Sequence, residues 1–563
     1  MAEQPGALRR IDWNEYFPFI RIFKSVPMAL QPSKLALALA GVVLMGALGY
    51  LLDVLWSWKY NRPVGPEVWA YWQVPDIDRW REAQRSERLV VLQRLYTGDG
   101  LLAGKAPADL KVLNEPGALK EAQRRLKAQF REEAASRADQ PDWIATRAAV
   151  YAEAYEALAA YETRGIFDSF LEYEQEVIGQ FLAASRALLT LDFGAVTAGT
   201  EDVLQGRQML GEMRRPGDFG GIGMIGSVLL AFRGVQWLLH EHAVFAILFL
   251  LGALAIWSLI GGAICRMSAM NAARDEQISA RSALTFAGRK FLGFLSAPLL
   301  PLLMVVIIGV LLALGGLVFT AIPYLGDILG PILLVLALLG GFVMALIVVG
   351  AIAGGSLLWP TIGVEGSDGF DAVSRSYSYF FSQPWRTAFY GIVAAIYGGL
   401  TYLIFRYFVY IVLRLTRFFV SLGVWFTERP GTGDPNATKL EAMWPMPTPD
   451  NLMGDWSSML GLIRWERAGA GIIHVWLLLV VLLLCAYLVS YFFSASTIIY
   501  LLLRRRVDAI DMEDVYVDEE DEVVAPALGT ATSSGPAAAA PTPSPAASAE
   551  PSGTDSKPTE GSA

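Results

Sequence analysis

The chain has few of the residues on which catalytic, metal and disulfide sites depend. Among 563 residues there are only three histidines and two cysteines, Cys265 and Cys485, and both cysteines fall in or beside apolar stretches. A disulfide framework is therefore excluded, and both thiols are predicted to be buried and inert. The sequence has no Walker loop, no G-x-S-x-G motif and no H-E-x-x-H motif, and three histidines give little general-base capacity. We expect no catalytic activity, no cofactor and no bound metal.

Three local patterns resemble ligand sites but lack the context that such sites need. Gly221, Gly223 and Gly226 form a G-x-G-x-x-G string, yet no strand precedes it, as a dinucleotide site requires. The two histidines of the segment 240–242 are two residues apart, so on a helix they point in different directions. The carboxylates of the segment 153–176 include no E-x-x-H pair, which a di-metal bundle needs. A flexible segment before a membrane helix, interfacial polar residues and a solvated helix face explain these patterns better.

Charge is also scarce, and it is unevenly distributed. Charged residues make up 18% of the chain, hydrophobic residues make up 54%, and the mean hydropathy is +0.41, a composition typical of membrane proteins. The formal net charge of −9 depends largely on the segment from Asp508 to Glu522, which has nine carboxylates and no Lys or Arg. No basic stripe is present, so a nucleic-acid partner is not expected.

Six apolar runs are long enough to cross the hydrocarbon core of a bilayer, which takes about 20 helical residues. They cover residues 35–58, 243–264, 291–319, 328–359, 387–410 and 472–503. Only a helix satisfies its own backbone hydrogen bonds at that depth. The predicted fold class is therefore all-α: a polytopic α-helical membrane protein with six transmembrane helices, a helical extracytoplasmic domain and a disordered C-terminal tail.

The same runs divide the chain into seven parts. These are a cytoplasmic or interfacial N-terminal segment (1–34), a signal-anchor helix (35–58), an extracytoplasmic, mainly helical domain (59–242), a core of four transmembrane helices (243–410), an extracytoplasmic interfacial helix and loop (411–471), a sixth transmembrane helix (472–503) and a cytoplasmic tail (504–563). Strong helix formers dominate residues 118–138 and support a helical domain. The tail is acidic and then rich in Ala, Pro and Ser, a composition that cannot bury a core.

Basic residues determine the predicted orientation. The loop from Arg266 to Lys290 carries five Lys or Arg side chains, whereas the loop 320–327, on the other side of the membrane, carries none. The sixth run ends at three arginines, 504–506. Because basic loops stay in the cytoplasm, both termini are predicted to be cytoplasmic, in what we expect to be a bacterial cytoplasmic membrane.

The four central runs form two hairpins, each with a polar amphipathic connector, and the connectors match one another. Ala283, Leu284, Ala287 and Phe291 align with Ala372, Val373, Ser376 and Phe380 at one constant offset, with the spacing of one helix face. Asp275 and Glu276 precede the first connector, and Ser367 and Asp368 precede the second, where an N-cap is expected. A parallel repeat is one interpretation. Two unrelated hairpins with connectors shaped by the membrane interface are the other.

The connector sequences ARDEQISARSALTFAGRKF and SDGFDAVSRSYSYFFSQPWR are similar to those of uncharacterised polytopic bacterial membrane proteins. In those proteins an amphipathic "A-hydrophobic-x-R-S" helix precedes a membrane hairpin. The resemblance covers the connectors and the helices beside them. It implies a helical membrane fold and no particular activity.

Two charged residues interrupt the apolar runs. Asp53 lies near the outer end of the first run, and Arg406 lies near the outer end of the fifth. Both helices are predicted to run outward, so an intramembrane ion pair between Asp53 and Arg406 is one hypothesis. The alternative is that each side chain extends to its own interface.

The acidic part of the tail is a candidate docking segment for a basic protein partner. Its proposed contact residues are Asp511, Glu513, Asp514, Asp518 and Glu519. The alternative is a tail that only increases solubility. The sequence as a whole favours a non-enzymatic scaffold or accessory subunit of a membrane complex, with membrane lipids and proteins as partners, the proteins binding through the extracytoplasmic domain and the acidic tail. The alternative function is a transporter or permease for an apolar or lipid-like substrate.

Overall fold

The structure is a computed structural model that describes residues 17–56, 63, 66–97, 100–103, 117–137, 140–159, 161–189, 192–205, 222–321, 325–424, 440, 443–449, 451–454 and 464–517. Within these residues every regular element is helical and no β-strand occurs, so the predicted all-α class is confirmed. Residues 1–516 form one compact unit, and residues 517–563 form a second, of which only Val517 is described.

The N-terminal half contains one long apolar helix followed by a helical region at residues 66–241. A 3-10 helix at Pro18–Lys24 leads into α1 (Ser25–Ala29) and the apolar α2 (Pro32–Trp56). The helical region then comprises α3 (Glu67–Gln73), α4 (Ile77–Tyr96), α5 (Ala118–Ser136), α6 (Pro141–Ala159), α7 (Ile166–Leu189), α8 (Phe193–Thr197), α9 (Thr200–Gln205) and α10 (Met224–Glu241). Its main core joins α3, α7 and α10 through Trp69, Tyr173 and Trp237. A smaller core joins α4, α5 and α6.

The C-terminal half supplies the remaining apolar helices and the two connectors. Its elements are α11 (Ala243–Arg274), α12 (Ala280–Arg289), α13 (Phe291–Ala321), α14 (Leu325–Gly354), α15 (Leu358–Glu365), α16 (Gly369–Ser382), α17 (Pro384–Val424) and α18 (Arg464–Val507). A short 3-10 turn at Gly355–Leu357 joins α14 to α15. Six segments of the described residues have the length and hydropathy of membrane spans: Pro32–Trp56, Ala243–Arg274, Phe291–Leu317, Gly330–Glu365, Pro384–Gly423 and Ala468–Val507.

The two connectors start in the same way. The side chain of Ser279 accepts a hydrogen bond from the amide of Ser282 and caps α12, and Asp368 accepts from the amide of Asp371 and caps α16. The expected cap at Asp368 is confirmed, whereas the cap expected at Asp275 or Glu276 is wrong. Asp275 instead ends α11 with a left-handed backbone (φ 54°), a conformation that Asp tolerates better than most residues.

Most of the matched positions are buried in both connectors. Ala283, Ala287, Ala372 and Ser376 are buried in the bundle, which explains why these positions are small. The correspondence ends at the fourth pair, because Phe291 begins α13 while Phe380 still belongs to the longer connector helix α16. The connectors thus share their cap position and buried face, and a gene duplication remains a prediction.

The last two spans are longer than the sequence indicates. The helix α17 continues without a break to Val424, and α18 begins at Arg464, eight residues before Ile472. The separate interfacial helix expected after residue 411 is therefore wrong for residues 411–424, because that stretch holds no proline and its apolar residues continue the helix of the fifth span. The loop that follows is described only at 440, 443–449 and 451–454.

The hairpin of α13 and α14 exposes an unusual amount of apolar surface. Along the half that is distant from the connectors, these helices contact one another, for example at Gly340 and Leu312. Most of their other aliphatic side chains there, such as Leu311 and Val335, are exposed. Surface of this kind is compatible with lipid and incompatible with water, as expected for an integral membrane protein.

Candidate functional site

Asp53 joins the first membrane span to the helical region 66–241. Its side chain is only 7% exposed, and its carboxylate accepts hydrogen bonds from the amides of Phe167 at 2.9 Å and Asp168 at 3.1 Å. These amides belong to the first turn of α7, where backbone N–H groups have no partner within the helix and the helix dipole favours negative charge. Asp53 therefore acts as an N-cap that is supplied by a different helix. We call this the Asp53 contact.

Close packing surrounds the Asp53 contact. A Cβ atom on Gly49 of α2 would overlap the ring of Phe167, and a Cβ atom on Gly165 would overlap the carboxylate of Asp53. The Phe167 ring also packs against Phe249 of α11, with ring centroids 5.3 Å apart. The first turn of α7 thus packs against the two membrane spans α2 and α11. The absence of side chains at Gly49 and Gly165 allows this turn to approach α2 closely.

Arg406 binds a backbone carbonyl of the segment that follows the fifth span. Its Nε donates to the carbonyl of Pro449 at 3.1 Å, and Arg417, further along α17, donates to the carbonyl of Trp444 at 2.9 Å. These two arginines hold the described residues 443–449 against the fifth span. The hypothetical ion pair between Asp53 and Arg406 is not among these contacts and stays a prediction.

An ion network lies within the helical region and links three of its helices. Arg81 of α4 binds Glu67 of α3 at 2.5 Å and Glu241 of α10 at 2.8 Å. Burial works to raise the pKa of Glu241, but its hydrogen bonds from His240 and Arg81 outweigh that effect, so the pKa lies below its ordinary value. The network favours the charged form of Glu241. Its ion pairs link α3, α4 and α10.

The histidines beside this network have separate environments. His240 lies 2.9 Å from the carboxylate of Glu241, whereas the ring of His242 packs edge-on against Trp237. Burial lowers the pKa of His242 and favours its neutral form. Across the part of the chain that the structure describes, no group of three or more His, Cys, Asp or Glu side chains is placed to hold a metal ion.

At the opposite end of the bundle, residues 508–516 are held against the membrane helices; we call this segment the strap. Met512 and Val515 of the strap are buried in the same core as Ile22 and Tyr379. Its backbone is bound at three points: the amide of Tyr516 donates to Val364, and the carbonyls of Glu513 and Asp514 accept from Arg274 and Arg504. The expectation of a tail disordered from its start is wrong for this segment, because its apolar residues find a core.

Arg504 is the central residue of the strap contact. It is 3% exposed, and its Nε lies 2.7 Å from the carboxylate of Glu365 at the end of α15. The Nη1 atom of Arg504 donates to the carbonyl of Asp514 at 2.6 Å. The same carboxylate of Glu365 accepts from the hydroxyl of Tyr500 at 3.1 Å. A single buried guanidinium therefore connects α18, α15 and the strap.

Two further basic residues at this end are buried. Arg266 is fully buried, donates to the carbonyl of Gly363 at 3.2 Å and lies over the ring of Phe286 at 4.5 Å. Lys34 is also fully buried, and its Nζ has no hydrogen-bond partner among the described residues. Hydropathy alone could not separate these side chains from exposed basic residues, because their burial depends on neighbours that are distant in the sequence.

The acidic side chains of the strap are exposed, although the carboxylate of Asp508 accepts a hydrogen bond from the hydroxyl of Tyr379 and that of Asp514 lies 4.0 Å from Arg504. Asp511, Glu513 and Asp514 are exposed, whereas their backbone is held. Asp518 and Glu519, the other two candidate docking residues, lie outside the described residues. The strap therefore combines a fixed backbone with exposed carboxylates.

These contacts belong to a membrane protein whose extramembrane segments are attached through side chains of the spans. No protein-family model, no curated protein and no solved structure matches this chain.

Proposed function

We propose that this protein is an integral membrane scaffold or accessory subunit of a membrane complex, with both termini in the cytoplasm. The observation that supports this role is the pair of attachments described above. The Asp53 contact fixes the helical region 66–241 on one end of the bundle, and Arg504 fixes the strap on the other. Two rigidly held surfaces at opposite ends of one bundle are suited to hold partners on both sides of a membrane.

The distribution of basic residues supports the orientation in this proposal. The end that carries Arg504 also carries Arg274 and Lys290, and Lys24 lies there 3.8 Å from Asp275. Positively charged ends of membrane helices stay in the cytoplasm. The strap is then cytoplasmic, and the helical region 66–241 is extracytoplasmic.

The partner that we propose for the strap is a basic protein on the cytoplasmic side. A partner that binds a segment with an ordered backbone loses less conformational entropy than one that must order a free tail. The exposed carboxylates of Asp511, Glu513 and Asp514 would pair with lysines or arginines of that partner. No catalytic step, cofactor or metal forms part of the proposal.

The test is purification of the full-length protein, in mild detergent and with crosslinking, followed by identification of the proteins that accompany it. One variant reverses the strap charges (Asp511→Lys, Glu513→Lys, Asp514→Lys). The matched control reverses three exposed acids of the helical region (Glu82→Lys, Glu201→Lys, Asp202→Lys). We expect the strap variant to lose a partner that the control retains. If both variants retain every partner of the natural sequence, the strap is not a docking site.

Transport of an apolar or lipid-like substrate is the competing proposal, and the hairpin of α13 and α14 favours it. Its exposed aliphatic side chains offer a wide apolar surface beside the bundle, and such a substrate requires no charged residue in the membrane. Native mass spectrometry distinguishes the two proposals. A monomer that retains lipid and no protein partner would favour transport, whereas a stable protein complex would favour the scaffold.

A further inference from the structure

One face of the helix α10 is buried against other helices of the region 66–241. Gly226, Leu230, Gly234 and Trp237 are buried and recur with helical spacing on one side. The hydroxyl of Tyr173 on α7 donates to the carbonyl of Leu230 at 2.8 Å, and a Cβ atom on Gly234 would overlap Tyr173 and Glu174. The packing against α7 is therefore complete, and the opposite face of α10 is not needed for the core.

The opposite face of α10 is apolar as well. Ile225, Val228, Phe232 and Leu239 lie on it and are exposed, and Phe232 is 67% exposed. A helix at the surface of a water-soluble domain normally carries charged residues on this face. In the same region the exposed face of α5 does so, with Lys120, Arg124 and Lys127 among its residues. The contrast indicates that the two helices face different solvents.

The apolar face of α10 is followed directly along the chain by the exposed apolar surface of a membrane span. α10 ends at Glu241 and the membrane span α11 begins at Ala243, so one residue separates them. The first exposed side chains of α11 are Ala243, Val244, Ile247 and Leu248, all aliphatic. The first turn of the partner helix α7 is hydrogen-bonded to Asp53, near the end of the first span. Because α10 directly precedes the span α11 and packs on α7, which is bound near the end of the first span, we place α10 at the level where the spans leave the bilayer.

We propose that α10 lies in the membrane leaflet at the Asp53 end, with Ile225, Val228 and Phe232 among the lipid acyl chains. Amphipathic helices of this kind enter the boundary between headgroups and acyl chains by about 5–10 Å. The partner is the lipid surface itself, because the exposed apolar face is followed directly along the chain by that of α11. The inference goes beyond the scaffold proposal and does not depend on it. It makes α10 a second anchor of the helical region, beside the Asp53 contact.

Spin-label accessibility in the full-length protein tests this placement. Cys265 and Cys485 are first replaced by alanine, and one new cysteine is introduced at Phe232, at Val90 or at Leu248. Val90 is a matched exposed aliphatic residue on α4 (51% exposed), and Leu248 is an exposed residue of the membrane span α11 (46% exposed). Each labelled protein is reconstituted in phosphatidylcholine nanodiscs. Collisions are then measured with oxygen, which concentrates in lipid, and with a nickel chelate, which stays in water.

We expect the label at 232 to resemble the label at 248, with an oxygen-to-nickel ratio severalfold above that at 90. A ratio at 232 equal to that at 90 would place α10 in water and overturn the proposal. Low collision with both reagents at 232 would also overturn it, because a protein surface would then cover the helix. All three labelled positions are exposed, so the three labelled proteins differ only at their surfaces, and the protein labelled at 248 gives the reference value for lipid.

Discussion

The two attachments of extramembrane segments to the bundle use opposite chemistry. In the Asp53 contact, a carboxylate from a membrane span accepts hydrogen bonds from the backbone amides of α7. In the strap contact, guanidinium groups of Arg504 and Arg274 donate to backbone carbonyls of the strap. Each charged side chain binds backbone atoms and thereby fixes a segment outside its own helix.

The difference follows from what each segment offers. The start of a helix presents unpaired N–H groups and attracts an acid, whereas the irregular strap presents carbonyl groups and attracts a base. Arginines are concentrated at the strap end, as the positive-inside rule describes for cytoplasmic ends. The basic residues at this end therefore also hold an irregular segment in place. Four variants test how far the two attachments differ.

The largest effect is expected at Arg504. Replacing it with methionine leaves the carboxylate of Glu365 without its closest cation and removes a donor to the strap. Breaking a buried ion pair on one side costs about 3–5 kcal/mol. Thermal unfolding in detergent should show the loss, and hydrogen exchange of residues 508–516 should accelerate. Arg505→Met is the control, because Arg505 is exposed. Equal behaviour of the two variants would show that the buried pair does not hold the strap.

A smaller effect is expected at Gly49, in the Asp53 contact. In Gly49→Ala the new methyl group overlaps the ring of Phe167, so α7 must shift, and overpacking of this kind costs about 1–3 kcal/mol. Gly46 lies one turn earlier in the same helix and faces open space. Gly46→Ala should therefore be neutral or slightly stabilising. The unfolding temperatures of the two variants provide the measurement, and a destabilised Gly46→Ala with a neutral Gly49→Ala would contradict the described packing.

Removal of the cap at Asp53 should cost about as much as the loss of an N-cap elsewhere. Asp53→Ala deprives the amides of Phe167 and Asp168 of their acceptor, which corresponds to about 1–2 kcal/mol. Asp53→Asn keeps one acceptor oxygen and should cost less. Hydrogen exchange at residues 166–169 is the direct measurement. Unchanged exchange there in Asp53→Ala would show that the carboxylate does not cap α7, and unchanged exchange in the strap is the internal control.

The smallest effect is a pH dependence that Glu174 contributes on the Asp53 side. Glu174 of α7 packs against Gly234, one of its carboxylate oxygens is buried without a hydrogen-bond partner among the described residues, and burial raises its pKa from 4.5 to about 7. A raised pKa stabilises the fold while the group is protonated. The contribution is therefore complete below about pH 4.5 and is lost as the pH rises to about 7.

The expected size of this pH effect is about 1 kcal/mol, because Glu174 is partly accessible to solvent. Glu174→Gln should remove this contribution and thereby change the pH dependence. The unfolding temperature at pH 5 and at pH 8 measures it for both proteins, and exchange in the strap should be alike in both. A glutamine variant that keeps the full pH dependence would assign the effect to another group.

The sequence identified Asp53 as unusual but could not identify its partner. A carboxylate in an apolar run must bind something, and this argument needs only local sequence. The partner amide of Phe167 lies 114 positions away, and nothing in the run around Asp53 points to it. Arg504 is similar: the sequence treats it as an orientation marker, whereas its ion pair with Glu365 requires that α15 and α18 pack side by side.

Composition was also a poor guide to the strap. Its acids suggested a solvated segment, and this is correct for the side chains of Asp511 and Glu513. The apolar residues between them, Met512 and Val515, are buried against the bundle, which only the tertiary structure provides. The cap at Ser279 was missed because two acids earlier in the loop offered an equally plausible local signal.

The sequence by itself determined the membrane-spanning character of this protein, its helical class and the approximate positions of its spans. Length and hydropathy suffice for these properties, because in a hydrocarbon layer the backbone has no partner except itself. The tertiary structure alone decided which charged residues are buried and which backbone groups they hold. Several of those pairings join residues that are far apart in the chain, such as Asp53 with Phe167, 114 positions away, and a local pattern carries no information about which distant segments will meet.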